Sequence, residues 1–186
     1  MNTRTRVLTG TALALALGAG TFGAVSASAS PAAEAAPAAA ASKKKDEPGD
    51  KNFTQTTHLT IDAATRAAQA ALHAAQAENQ KVTVAVVDRN GNTIVTLRGD
   101  GAGPQSYESA QRKAYTAVSW NAPTSVLAGR LAQAPNLKDI PGTLFLGGGT
   151  PVQADGAPVA GIGVAGAPSG DLDEKFAKAG VDALAK

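Results

Sequence analysis

Apolar and polar positions follow a helical period across residues 61–80. Ile61, Ala64, Ala68, Leu72 and Ala75 fall on one face, and Asp62, Arg66, Gln69, His73, Gln76 and Gln80 on the other. Thr60 stands where an N-cap belongs, and Asp62 suits the first turn. Because the apolar face is mostly alanine, this helix must lie close to whatever covers it. The period then changes to two. Residues 81–88, with Val82, Val84, Val86 and Val87, read as a β-branched strand, and 93–98 as its return across an Asn90-Gly91 turn.

Residues 106–121 predict a second helix, with Tyr107, Ala110, Ala114, Ala117 and Val118 inward and Glu108–Arg112 spaced as an i,i+4 ion pair. A third, short helix runs over 124–134 between Pro123 and Pro135. Thr143-Leu144-Phe145-Leu146 reads as a short buried strand, followed by Gly147-Gly148-Gly149. A second hairpin has arms at 151–153 and 158–164 around Asp155-Gly156. Gly161, Gly163 and Gly166 make its last strand thin, a mark of close approach by another backbone or a ligand. Ser169 or Asp171 caps a final helix over 172–184. The order α-β-β-α-α-β-β-β-α with two Asn/Asp-Gly turns predicts an α+β domain, an antiparallel sheet of about five strands flanked by helices.

The first 52 residues are different material. Arg4 and Arg6, an apolar run over 7–19 and Ala27-Ser28-Ala29 have the form of a secretory signal over 1–29, cleaved after Ala29, and the apolar run is too short for a membrane span. Residues 30–52 are rich in Ala and Pro, then charged, with Lys43-Lys44-Lys45. They have little large apolar surface to bury and read as a flexible linker ahead of a domain at 53–186. Secretion would remove two of the 17 basic residues and leave 15 of each sign. Such a balance gives no basic surface for nucleic acid, so no nucleic-acid partner is expected. Cys is absent and the single Met is the first residue, so thiol catalysis, disulfides and sulfur ligands drop out of the chemistry.

What remains is sparse. There is no Gly-x-Ser-x-Gly elbow, and His58 and His73 are not spaced for one zinc. Gly147-Gly148-Gly149 lacks the Gly-Lys-Ser/Thr of a phosphate loop and reads as a turn between strands. Asp171, Asp173 and Glu174 lie at a helix start, where capping and the helix dipole account for them.

Three stretches in fixed order carry a likeness: Val84-Ala85-Val86-Val87-Asp88 with Asn90-Gly91; Asp100-Gly101-Ala102 leading to Ala110-x-x-Lys113-Ala114-x-Thr116-Ala117; and Ile140-Pro141-Gly142 through Gly147-Gly148-Gly149-Thr150-Pro151 to Val164. Over about residues 59–184 they resemble the GlcG/HbpS family, also found as the C-terminal domain of PduO proteins. The resemblance implies haem binding, iron handling, assembly into homo-oligomers and, for secreted members, regulation of a membrane sensor histidine kinase through its extracellular domain. Haem breakdown is an alternative activity of the same family. A purely structural oligomer of the cell envelope is a third reading. The resemblance implies that Thr143 is the haem ligand, that His58 belongs to a surface site for free iron ions, and that Glu108 is its acidic member. Gln111 stands where that site would have a second acid. With Cys and Met absent, Tyr107 read as facing the core of its helix and Tyr115 among polar neighbours, the iron candidates left are His58, His73 and Thr143. Only Thr143 has an apolar wall beside it, in Leu144, Phe145 and Leu146, and Phe145 is the aromatic cofactor contact expected there. Thr143 is equally readable as a β-branched residue starting a strand.

Overall fold

The computed structural model describes residues 50–185. The leader, the three lysines and the linker up to residue 49 lie outside them. A 3-10 turn at Asp50–Asn52 is followed by chain without regular secondary structure to Thr60. Helix α1 (Ile61–Ala77) is capped by Thr60, whose hydroxyl accepts a bond from Ala63 N. Strands β1 (Thr83–Asp88) and β2 (Thr93–Arg98) form the first hairpin. Helix α2 (Gln105–Trp120) and helix α3 (Thr124–Gly129) follow, then 3-10 turns at Arg130–Ala132 and Pro135–Asp139. Strands β3 (Gly149–Ala154) and β4 (Ala157–Ala165) make the second hairpin, and α4 (Gly170–Asp182) closes the described chain.

The sheet is antiparallel with the order β2-β1-β4-β3. The α+β class stands, with four strands instead of about five. Thr143-Leu144-Phe145-Leu146 is irregular loop, because its backbone bonds go to helix side chains and local turns rather than to a strand. The 124–134 helix is broken into α3 and a 3-10 turn.

Both turns form where Asn/Asp-Gly predicts them. In the second, Asp155 (φ 51°) and Gly156 (φ 77°) occupy the left-handed region as a two-residue hairpin requires. The first is longer. A bulge at Val86/Val87 shifts the register, and Asp88 ties the loop by accepting from Asn90 N and Asn92 N, both at 2.8 Å.

The sheet's two faces are covered differently. Val84, Val86, Ile162 and Val164 point to α1 and α4, where Phe176 fills the layer. The alanine face of α1 does pack closely: Gly180 of α4 sits where a side chain would meet Ala67 O. Ile61 lies off this face, 57% exposed. On the other face α2 lies against β1 and β4, with Ala110 on Ala85 and Ala165, and Ala114 and Val118 on Val87. Gly161 and Gly163 face α2, so the thin strand marks a helix backbone and not a ligand.

Candidate functional site

Helix α2 is the ruler on which the candidate residues are placed. Its inward positions are Ser106, Ala110, Lys113, Ala114, Thr116, Ala117 and Val118. Tyr107, expected inward, is 46% exposed: the buried row runs through Ser106, one position earlier, which turns Tyr107 about 100° away. The helix ends at Asn121, whose left-handed conformation (φ 49°) stops it.

The loop carrying Thr143 lies across this helix. Thr143 is 1% exposed, and its hydroxyl donates to Ile140 O at 2.7 Å. Gly142 (φ 79°) faces the Tyr115 ring. Leu144 N donates to Thr116 Oγ1 at 2.8 Å, while that hydroxyl donates to Arg112 O at 2.7 Å. Phe145 is buried against Trp120, edge to face with ring centroids 5.3 Å apart. It therefore packs within the chain, whereas Leu146 next to it and Ile140 before the turn are exposed.

The Gly-rich segment is fixed by side chains from two helices, α3 and α4. Gly149 N donates to Thr124 Oγ1 at 2.7 Å and Gly148 N to Glu174 at 3.3 Å, and Glu174 also receives Ser125 N and Ser125 Oγ. Gly148 (φ 126°) allows the chain to pass over a buried ion pair. In that pair Lys113 Nζ donates to Asp173 at 2.7 Å and to Val164 O at 3.0 Å, while Asp173 accepts from Ala167 N at 3.0 Å. Burial pushes the Asp173 carboxyl up from its ordinary value, against the hydrogen bond and charge of Lys113. Asp173 and Glu174 therefore do more than complement the helix dipole; Ser169 is the cap, accepting from Leu172 N. A cleft of about 460 Å³ opens above the pair, lined by Leu146, Gly147, Pro168 and the start of α4.

The surface candidates differ in their relation to this loop: Gln111 and Arg112 line a hollow with Tyr115 and Gly142, the residue before Thr143. His58 is exposed, with Nε2 2.8 Å from Thr56 Oγ1, and its charge reaches Asp88. Glu108 is exposed and pairs with Arg112 at 3.5 Å, and Gln111 donates to Thr96. His73 is exposed on α1. Among the described residues no three His, Asp or Glu side chains converge as a metal-holding group.

Burial pushes the Asp88 carboxyl up. The hydrogen bonds from Asn92 and Asn90, with the His58 charge, outweigh this and hold it below its ordinary value of 3.8. The unfolded chain then takes up the proton first, so this stability is present above that value and lost as pH falls through the folded one. Acid denaturation followed by circular dichroism is expected to show that Asp88→Asn loses less stability than the parent below about pH 4. Equal acid sensitivity would show that the turn does not depend on this charge.

Residues 59–182 match the sequence profile of a family described as "Haem degrading protein HbpS-like". The chain belongs to this family. A crystal structure of a double mutant of Streptomyces reticuli HbpS is 74% identical, covering 74% of this chain and 93% of that one with a TM-score of 0.72. The PduOC protein crystallised as a haem complex is 27% identical, covering 68% of this chain and 95% of its own, with a TM-score of 0.63. A 15.0 kDa protein of Citrobacter freundii, uncharacterised, from the dhaT-dhaS intergenic region is 32% identical over 117 residues, 60% of this chain and 82% of that protein.

In this HbpS-like chain the residues that sequence reasoning missed are those holding the loop: Thr116, Thr124, Glu174 and the Lys113–Asp173 pair. One signal was available. Lys113 and Thr116 fall on the alanine row of α2, where a polar side chain needs a buried partner.

Proposed function

We propose that this protein is a secreted haem- and iron-binding protein. In this reading it acts outside the cell as a haem or redox sensor or scavenger, assembles as a homo-oligomer and modulates a membrane sensor kinase. The observation that carries the haem is a relative of the same family and fold crystallised with it. The charged, apolar, Ala-x-Ala start of the chain supports export. Exposed Tyr107, Val126, Ile140 and Leu146 offer apolar surface for assembly.

The loop fits a tetrapyrrole in its chemistry. Ile140 and Leu146 are exposed aliphatic side chains that flank Thr143 in sequence, three residues to either side. The hydroxyl proton is committed to Ile140 O, so the oxygen keeps lone pairs for a metal. A neutral oxygen is a weaker donor than imidazole or thiolate, which suits exchangeable haem better than electron transfer. Since Thr143 is closed in, ligation requires the Ile140 side of the loop to move. Bound haem would supply a redox-active iron and a Soret band. His58 and Glu108 are the residues assigned to free iron ions.

Hemin titration followed by absorbance tests this. Thr143→Ala is expected to alter the Soret band most, with His58→Ala and His73→Ala close to the parent. If either histidine variant abolishes the band while Thr143→Ala keeps it, imidazole carries the iron. The family description favours a second reading, haem degradation. Aerobic incubation with a reductant separates the two: a lasting Soret band marks a binder, and its loss with stoichiometric iron release marks an enzyme.

A further inference from the structure

We infer that Thr116 is the positioning residue of the Thr143 loop, the side chain that sets where the proposed ligand stands. This rests on the haem-binding reading above. Thr116 is fully buried on α2 and its hydroxyl is used twice: it donates to Arg112 O at 2.7 Å and accepts from Leu144 N at 2.8 Å. The first bond orients the oxygen, leaving its lone pairs toward the loop. The second fixes the peptide immediately after Thr143.

Its neighbours on the helix complete the arrangement. The Tyr115 ring underlies Gly142, the residue before Thr143, and Trp120 holds Phe145, two residues after it. Thr143 is thus bracketed by contacts from one rigid helix. On the Ile140 side the hydrogen bonds are local, Thr143 N and Thr143 Oγ1 donating to Ile140 O and Ile140 N to Leu137 O, with none to α2 among the described residues. Any movement that uncovers Thr143 therefore pivots on the Leu144 end, and Thr116 defines that pivot. Thr116 touches the loop and not the ligand, so it acts through Thr143.

The test is a hemin titration of the full chain as parent, Thr116→Ser and Thr116→Val, read as affinity and as Soret position, with folding checked by circular dichroism. Serine keeps the hydroxyl; valine keeps the shape and leaves Leu144 N without a partner. We expect Thr116→Val to bind hemin about tenfold more weakly with a displaced Soret band, the scale of one lost hydrogen bond, and Thr116→Ser to restore both. Thr116→Ala, which removes the oxygen without adding a methyl, carries the comparison where the valine variant does not fold. A valine or alanine variant with the parent's affinity and band overturns the inference, because a residue serving stability alone would leave the spectrum unchanged. Failure of the parent to bind hemin overturns the haem reading itself, and loss of the band in His58→Ala or His73→Ala overturns Thr143 as ligand and the Thr116 inference with it; a parent that binds while Thr116→Val matches it overturns the inference alone.

Discussion

Replacing Gly163 by alanine is expected to destabilise the domain by about 3 kcal/mol, the upper part of the usual range for overpacking a core. A Cβ at this position would lie 2.0 Å from Ala110 O and 2.5 Å from Ala114 N. Both are backbone atoms of α2, so no rotamer change relieves the clash. The helix would have to move away from the sheet, opening the contacts of Ala110 with Ala85 and Ala165. Gly161 has the same relation to the next turn, with a Cβ 2.2 Å from Ala114 O. Gly129 is the control: it has a helical φ of −63° and open space around it, so Gly129→Ala is expected to be neutral or stabilising by up to about 1 kcal/mol. Urea denaturation decides it. A loss below about 1 kcal/mol for Gly163→Ala would mean that α2 is not held at this distance, since isolated surface changes stay within about half that.

This close approach explains how far the sequence could be read. A strand with glycine at alternate positions and a helix with alanine at i, i+4 and i+7 are complementary surfaces, and each half is visible in the order of residues. So are both turns, where positive φ needs Gly, Asn or Asp. That one surface meets the other is long-range information, and no local pattern contains it. The same limit produced the error at Thr143-Leu144-Phe145-Leu146. Four residues with three large apolar side chains fit a buried strand as well as any other buried segment. Their sides are decided by Trp120 and Thr116, which lie 25 and 28 residues earlier in the pairs Trp120–Phe145 and Thr116–Leu144.

The candidate site was legible through likeness more than through physics. Thr143 is an ordinary residue by any periodicity, and His58 and Glu108 are ordinary surface groups. Lys113 is the exception. An ammonium on an alanine row, with Ala110 and Ala114 beside it, demands an anion from elsewhere in the fold. Of the acids clustered at the start of the last helix, Asp173 is the one that answers. Charge complementarity alone could not choose it from Asp171 and Glu174, because the choice depends on the rotation of α4.

Breaking that pair is expected to have the largest electrostatic effect in the domain. Lys113→Met should cost about 3–5 kcal/mol at neutral pH, because the Asp173 carboxylate stays buried with only backbone N–H groups to hold it. The pH dependence follows from the direction of the Asp173 shift. Its folded carboxyl already titrates above 3.8, so the folded chain holds the proton where the unfolded chain has lost it. Stability from that proton is complete below 3.8 and is lost as pH rises through the folded value. Removing Lys113 takes away the favourable charge and hydrogen bond, so the folded value rises further and the window of loss widens upward. The deficit of Lys113→Met relative to the parent should therefore be greatest near pH 7 and shrink as pH falls toward about 4. Adding Asp173→Leu to Lys113→Met is expected to recover part of the loss. A well-packed apolar pair can replace a buried ion pair at little cost, but Ala167 N and Val164 O would lose their partners. Urea midpoints of the parent, both single variants and the double variant at two pH values complete the cycle. A Lys113→Met deficit independent of pH would mean that lost packing of the lysine stem, and not the stranded carboxylate, sets the cost.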